Sequence, residues 1–408
     1  MSDEALNWPS VRMQPYYLPR IKHSTLILAW IIFMFIGDAA NTILLKTGYP
    51  FWRVSIIIRS FALLYFTYLL GRISQGWSLL RLLMLFFSIF FTGALFGFIV
   101  ENHYDWFENI NIAIKMVFFF ICWQTFRLYF KTNVERNWLF RIFEILILLQ
   151  SLSIIIGYTF DIEVFHSYGS FKRFGYKGFI PARNELSGFL LISFFYFAWK
   201  VKNFGKGVIP LFLVLISGLL TGAKVALSLP IILIVLLGFW ALINYRRYVF
   251  FIVLLLFLTL TTLFIWQWGN IIQLITPSLN YFQQQLAYGH NPNILSVFFS
   301  GRDLLVKNLL TDYILNANLI NFLFGGHELS TLSSETDLID IFLFIGFLGT
   351  LIFYTYYIKT LLYCERKKDF IHLLFVITWL IVSTTAGHLI FSAINGLYLA
   401  ILLLAFSW

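Results

Sequence analysis

The chain has 408 residues, 60% of them hydrophobic and only 12% charged, with a mean hydropathy of +0.82 and a net charge of +10. A water-soluble core cannot hide that much apolar side chain. A polytopic helical membrane protein needs it, because each span takes about 20 apolar residues and closes its own backbone hydrogen bonds. The basic excess sits in short loops between apolar segments, which excludes a nucleic-acid-binding face and leaves no nucleic acid among the expected partners. Two cysteines, Cys122 and Cys364, cannot build a disulfide or metal framework.

The first 23 residues are polar and contain proline, so no cleavable signal is expected. About twelve apolar segments follow, at 24–45, 54–71, 79–100, 110–130, 139–158, 185–200, 207–222, 225–243, 248–268, 337–358, 370–386 and 389–407. Alternate loops separate by charge. One set carries Arg72 and Arg81; Arg127, Lys131, Arg136 and Arg141; Lys200, Lys202 and Lys206; Arg246 and Arg247; and Lys359, Arg366, Lys367 and Lys368. By the positive-inside rule these loops are cytoplasmic, and both termini with them. The opposite set holds the acidic stretch Glu101 to Asn109, a loop near 159–184 and one long segment, 269–336. A loop that long is uncommon unless it has a task. Apolar residues recur at helical spacing from Gly301 to Phe324, so the segment reads as a partly helical cap. The expected fold is a single all-α polytopic membrane domain, 1–408, of about 12 transmembrane helices carrying that cap.

Cations on the outer side break the charge rule and need a reason: Lys172, Arg173, Lys177, Arg183, Lys224, Arg302 and Lys307. Arg183 lies in "GFIPARNELSGFLL", where Pro181 suits a chain approaching a helix and Asn184 is a candidate N-cap. A fixed cation beside a helix N-terminus is a ready anion site. Lys224 follows a "TG" turn between two apolar segments, where it either snorkels to the interface or contacts an anion. Arg302 opens the helical part of the cap. Several cations gathered on one face suit phosphate or diphosphate.

In "GGHELSTLSSETDLIDIFLFIGFLG", residues 325–349, Glu335, Asp337 and Asp340 cluster where the cap re-enters the membrane. Asp337 and Asp340 share a helix face at a spacing of three. Acidic residues also complement a helix dipole, but an intramembrane carboxylate usually has a partner or a task. His327 and Glu328 follow a Gly-Gly turn, while Gly346 and Gly349 are read as close-packing residues. His388 lies in the tight turn between the last two segments. There is no His-x-x-x-His pair, nucleophile elbow or phosphate loop, so neither a metal nor a cofactor is expected.

Four stretches in order, "GFIPARNELSGFL", "LLTGAKVAL", "FSGRDLLVKN…FLFGGH" and "SSETDLIDIFLFIGFLG", resemble the bacterial O-antigen polymerase and O-antigen ligase superfamily of membrane glycosyltransferases. The resemblance is weighted to residues 175–408. Ligases usually carry a His-Asn pair eleven residues before the first Gly of the last motif; here Glu335 and Thr336 occupy that position, which looks like the polymerase side. The polymerase signature of Arg, ten residues and Gly is not met: counting from Arg302 reaches Tyr313, and from Arg183 reaches Phe194.

The resemblance implies transfer of oligosaccharide from an undecaprenyl-diphosphate donor to a lipid-linked acceptor, metal-independent and inverting, at the periplasmic face of the bacterial inner membrane. A chain-length regulator is a candidate partner. Arg183, Lys224 and Arg302, with Asn184 and His388, are the expected diphosphate- and sugar-binding residues. Glu335 is the first choice of base, with Asp337 and His327 behind it, and Tyr168 and Tyr176 offer faces for sugars. The competing readings are a ligase acting on lipid A–core, and a polysaccharide flippase or secondary transporter.

Overall fold

The computed structural model describes residues 22–46, 53–101, 104–167, 175–244, 302–316, 318–329, 333–363 and 369–407. The chain order is α1 (His23–Lys46), α2 (Val54–Gly71), α3 (Ser74–Glu101), α4 (Trp106–Tyr129), α5 (Asn133–Thr159), α6 (Arg183–Phe204), α7 (Val208–Leu220), α8 (Lys224–Leu227) and α9 (Leu229–Asn244). After the cap region come α10 (Arg302–Asn316), α11 (Leu319–Phe324), α12 (Asp337–Leu361), α13 (Phe370–Ala386) and α14 (Ala393–Phe406). Among the described residues there is no strand, only an isolated bridge between His166 and Tyr176. Six helices, α1 to α5 and α12, are long and apolar enough to cross a membrane, and shorter apolar helices accompany them. Eleven of the twelve apolar segments fall on helices; 248–268 lies outside the described residues, as does most of the 269–336 segment before Arg302.

The core is built around α14. All fourteen of its residues are buried, and it packs on α4, α6 and α5. A helix apolar all round needs to be enclosed. Tyr398 stacks on Phe143 of α5 with ring centroids 5.5 Å apart, and Phe189 of α6 meets the same ring edge-on. Around this centre, α1, α2 and α3 turn apolar side chains such as Phe33, Phe61, Leu64, Leu95 and Ile99 outward. An exposed apolar shell of this kind suits lipid.

For orientation, the end of the bundle that holds Asp105, the 160–182 segment and the 387–392 turn is the cap end, and the opposite end is the basic end. At the basic end Lys202 pairs with Asp369, and the Arg127 guanidinium lies 4.4 Å from the Tyr363 ring centroid. Deeper in, Glu144 of α5 takes both Lys200 and the Tyr196 hydroxyl. At the cap end Arg53 pairs with Glu108, and Asp105 caps α4 by accepting from the Glu108 N–H.

The cap meets α3 through close backbone contact. Gly325 and Gly326 run at φ 77° and 109° and press into a groove on α3: a Cβ on Gly93 would meet the Phe324 carbonyl oxygen at 2.1 Å, and one on Gly97 the Gly326 oxygen at 2.2 Å. Beyond this contact, Glu328 is buried and accepts from the Asp105 N–H at 2.7 Å.

Gly346 is not simply the close-packing residue expected from sequence. Its φ of 67° and ψ of −174° interrupt α12. The carbonyls of Leu343 and Phe344, just before the break, accept from the His327 and Gly326 N–H groups at 3.2 Å each. The Gly-Gly turn thus satisfies polar groups that an interrupted helix exposes. α12 is thus two helical halves joined at a kink at Gly346.

Candidate functional site

Arg302 begins α10, and its guanidinium reaches two other elements. Nε donates to Glu335 Oε2 at 3.1 Å, and a terminal nitrogen donates to the Thr385 carbonyl at 2.8 Å. The Arg302 side chain is 14% exposed and that of Glu335 47%, so the pair sits at a partly open surface. The planar fork of arginine allows one side chain to hold a carboxylate and a carbonyl together.

Glu335 and His388 are both held in the left-handed region, at φ 56° and 58°. For non-glycine residues that costs about 1–2 kcal/mol each. Gly387 lies between them, with so little space that a Cβ there would fall 1.9 Å from the Glu335 carbonyl oxygen. Backbone strain is thus concentrated where the cap meets the final turn.

Asp337, the first residue of α12, is fully buried. Its Oδ2 accepts from the Leu389 and Ile390 N–H groups at 3.0 and 2.9 Å, tying the start of α12 to the 387–392 turn. Oδ1 has no partner among the described residues. Asp340, one turn on, is also buried and accepts from the Ser334 N–H at 2.6 Å. It lies within electrostatic range of both His327 and His388. The structure therefore groups Arg302, Glu335, Asp337, Asp340, His327 and His388 at one junction. In this group Asp337 is an anchor of the turn, whereas Glu335 keeps contact with solvent.

The other expected binding residues sit on α6 and α8, which pack together. Arg183 and Lys224 are exposed and each is the first residue of its helix. Asn184 does not cap α6. Pro181 and an extended Ala182 lead straight into a helix that starts at Arg183, so Ala182 takes the cap position and no side chain caps the end. Gly188 rests on the Asn395 side chain near the start of α14, which makes the α6 entry a neighbour of the 387–392 turn. Tyr168, Lys172 and Arg173 lie outside the described residues. Tyr176 is buried and donates to Asp161 at 2.7 Å, so its face is not open to a ligand. His166 also contacts Asp161, at 2.8 Å.

Sequence reasoning passed over a second polar group. Asp38 of α1 and Arg59 of α2 form a buried ion pair, 4% and 14% exposed. Glu185 in the first turn of α6 lies within electrostatic range of both, and of Lys115 on α4. The signal was an ionisable residue in each of four predicted segments: Asp38, Arg59, Lys115 and Glu185.

Among the described residues no group of three or more His, Cys, Asp or Glu is placed to hold a metal ion. No protein family, characterised protein or solved structure matches the chain.

Proposed function

We propose that the protein is a polysaccharide polymerase of the bacterial inner membrane: a twelve-span glycosyltransferase that moves oligosaccharide from an undecaprenyl-diphosphate donor to a lipid-linked acceptor at the periplasmic face. The observation that carries this reading is the Arg302–Glu335 pair at the strained junction of cap, α12 and final turn. The two residues stand out in sequence for opposite tasks, and they meet.

In this reading a lipid diphosphate is already a good leaving group, and the protein's main task is to hold its growing charge. Arg302, with Arg183 and Lys224 at the nearby α6–α8 ends, supplies cations for that purpose. In the resting pair, Glu335 Oε2 is engaged by Arg302. An incoming diphosphate competes for the guanidinium and releases the carboxylate, which then accepts the acceptor hydroxyl's proton. Donor binding and base release are one exchange of partners. His327 and His388, flanking Asp340, are the alternative proton acceptors.

The test is deletion of the gene, followed by complementation and a size profile of surface polysaccharide. A ladder reduced to a single attached repeat supports a polymerase. Loss of all attached repeats indicates a ligase or flippase instead. R302A and E335Q are each expected to reach the membrane at wild-type levels and to abolish long polymer; unchanged polymer length in both overturns the site.

A further inference from the structure

α1 begins, and α2 and α4 end, at the basic end of the bundle, where their side chains are locked together. The Tyr129 hydroxyl of α4 donates to the Leu69 carbonyl of α2 at 3.1 Å. His23 of α1 shares a hydrogen bond of 3.0 Å with the Tyr65 hydroxyl of α2, and its ring lies 5.8 Å from that of Tyr129. Three exposed cations flank this cluster: Lys22 beside His23, Arg72 three residues after Leu69, and Lys131 two residues after Tyr129. Each is thus within about 11 Å of chain of the cluster. None makes an ion pair among the described residues. The acid at this corner, Glu135, is already committed. It accepts from Ser24 with one oxygen and from Thr132 with the other, completing the capping box of α5. The corner keeps its positive charge.

What lies beside the cations decides which anion fits. Ile57, Phe61, Leu64 and Tyr68 of α2 recur at spacings of four, three and four, so they form one outward stripe, each 54% to 66% exposed. The stripe runs up to Arg72, whose guanidinium lies 5.8 Å from the Tyr68 ring centroid. Measured along the helix from Arg72, Tyr68 is about 6 Å and Phe61 about 16 Å away. One leaflet offers about 15 Å of hydrocarbon, half the thickness of the bilayer core. A free anion has no use for such a stripe, and an acidic protein segment would have to leave water to cover it. A molecule with an anionic head and chains one leaflet long meets both parts at once.

We propose that this α1–α2–α4 corner is a binding site for an anionic glycerophospholipid. Lys22, Arg72 and Lys131 hold the phosphate through charge-assisted hydrogen bonds, with the Tyr68 hydroxyl beside them. An acyl chain lies along Leu64 and Phe61, and Tyr68 stands where an amphipathic ring belongs, between head and chain. The site is at the opposite end of the bundle from the Arg302–Glu335 junction and does not depend on the chemistry proposed there.

The experiment takes the full-length protein, stripped of lipid in detergent, and counts bound phospholipids by native mass spectrometry as phosphatidylglycerol is added. Zwitterionic phosphatidylcholine is the comparison. Wild type is expected to hold its first phosphatidylglycerol at least about tenfold more tightly than phosphatidylcholine, a preference of two cations or more at about fivefold each. R72Q and K131Q should each weaken that first binding about fivefold, and K22Q/R72Q/K131Q about a hundredfold. K206Q removes an exposed cation of the same end, in the loop between α6 and α7, and should change nothing. An equal loss in K206Q means diffuse attraction and overturns the site. So does equal affinity for the two lipids, or a triple variant that binds like wild type. Displacement of the lipid by an equal concentration of inorganic phosphate, or of a polyglutamate peptide, makes this a free-anion or protein-docking surface and overturns the lipid assignment. If the triple variant does not stay monodisperse in detergent, R72Q and K131Q carry the same test, since each removes one exposed charge that makes no ion pair among the described residues.

Discussion

Asp337 gives the sharpest test of how the final turn is held. Its Oδ2 accepts the Leu389 and Ile390 N–H groups in a fully buried setting. Replacing Asp337 by alanine strands both donors, and each unsatisfied buried donor costs about 1–3 kcal/mol, so D337A is expected to lose roughly 2–6 kcal/mol. An asparagine at this position would present a carbonyl oxygen with two lone pairs and could keep both bonds. Its amide nitrogen would take the place of Oδ1, which has no partner among the described residues. Only the charge assistance is lost, so D337N is expected to cost about 1–2 kcal/mol. The assay is the fraction of monodisperse protein remaining after heating in detergent, with membrane abundance beside it. D337A as heat-resistant as wild type, or D337N as damaging as D337A, refutes the anchoring role. A third outcome is equally decisive. If D337N folds normally yet makes no long polymer, the carboxylate does chemistry and the anchor account is incomplete.

The remaining expectations follow from other buried contacts. G326A would place a Cβ 2.3 Å from the Gly93 carbonyl oxygen at a φ of 109°, and overpacking of this kind costs about 1–3 kcal/mol before strain is added; cap protection against protease should fall, while G238A, with nothing near its Cβ, should not change it. D38A leaves Arg59 buried and unpaired, an expected loss of about 3–5 kcal/mol, whereas the apolar double replacement D38L/R59M should recover most of it in the same heating assay. Burial first, and then its bond to Asp161, pushes the Tyr176 phenol up to about 12. Because the unfolded phenol ionises near 10, its contribution to stability is complete below that pH and is lost as pH rises toward 12. Phenolate absorbance of wild type minus Y176F should show the late-titrating group, and D161A should bring it earlier.

The helices were legible because hydropathy over some twenty residues is a coarse signal that burial does not distort. α1 and α12 begin within a residue of the positions expected, and even the Lys224 re-entry turn appears. What periodicity could not supply was the bend in α12. Gly346 is one glycine in an apolar run, and a straight helix fits that run equally well. The break needs the Gly325–Gly326 backbone to take up the Leu343 and Phe344 carbonyls, and those partners lie some twenty residues away in chain. No local reading pairs them. The Asn184 cap failed because the helix starts two residues earlier than that cap requires, with Ala182 in the cap position after Pro181.

Site residues divided along a different line. Arg302 stood out because a cation on the outer side violates an orientation rule, and a rule broken is visible in sequence; Glu335 stood out because it clusters with Asp337 and Asp340 where the cap re-enters the membrane. Asp38, Arg59, Lys115 and Glu185 broke a stronger rule, since a charge at membrane depth costs several kcal/mol, yet averaging over a span dilutes one charge among some twenty apolar neighbours. Each is tolerable alone. Only when the helices pack does Asp38 of α1 meet Arg59 of α2 in a buried ion pair. The useful sequence signal is therefore not the mean hydropathy of a segment but the residue that lowers it, compared across segments. Four apolar segments that carry Asp38, Arg59, Lys115 and Glu185, two charges of either sign, predict a shared polar interior before any packing is known.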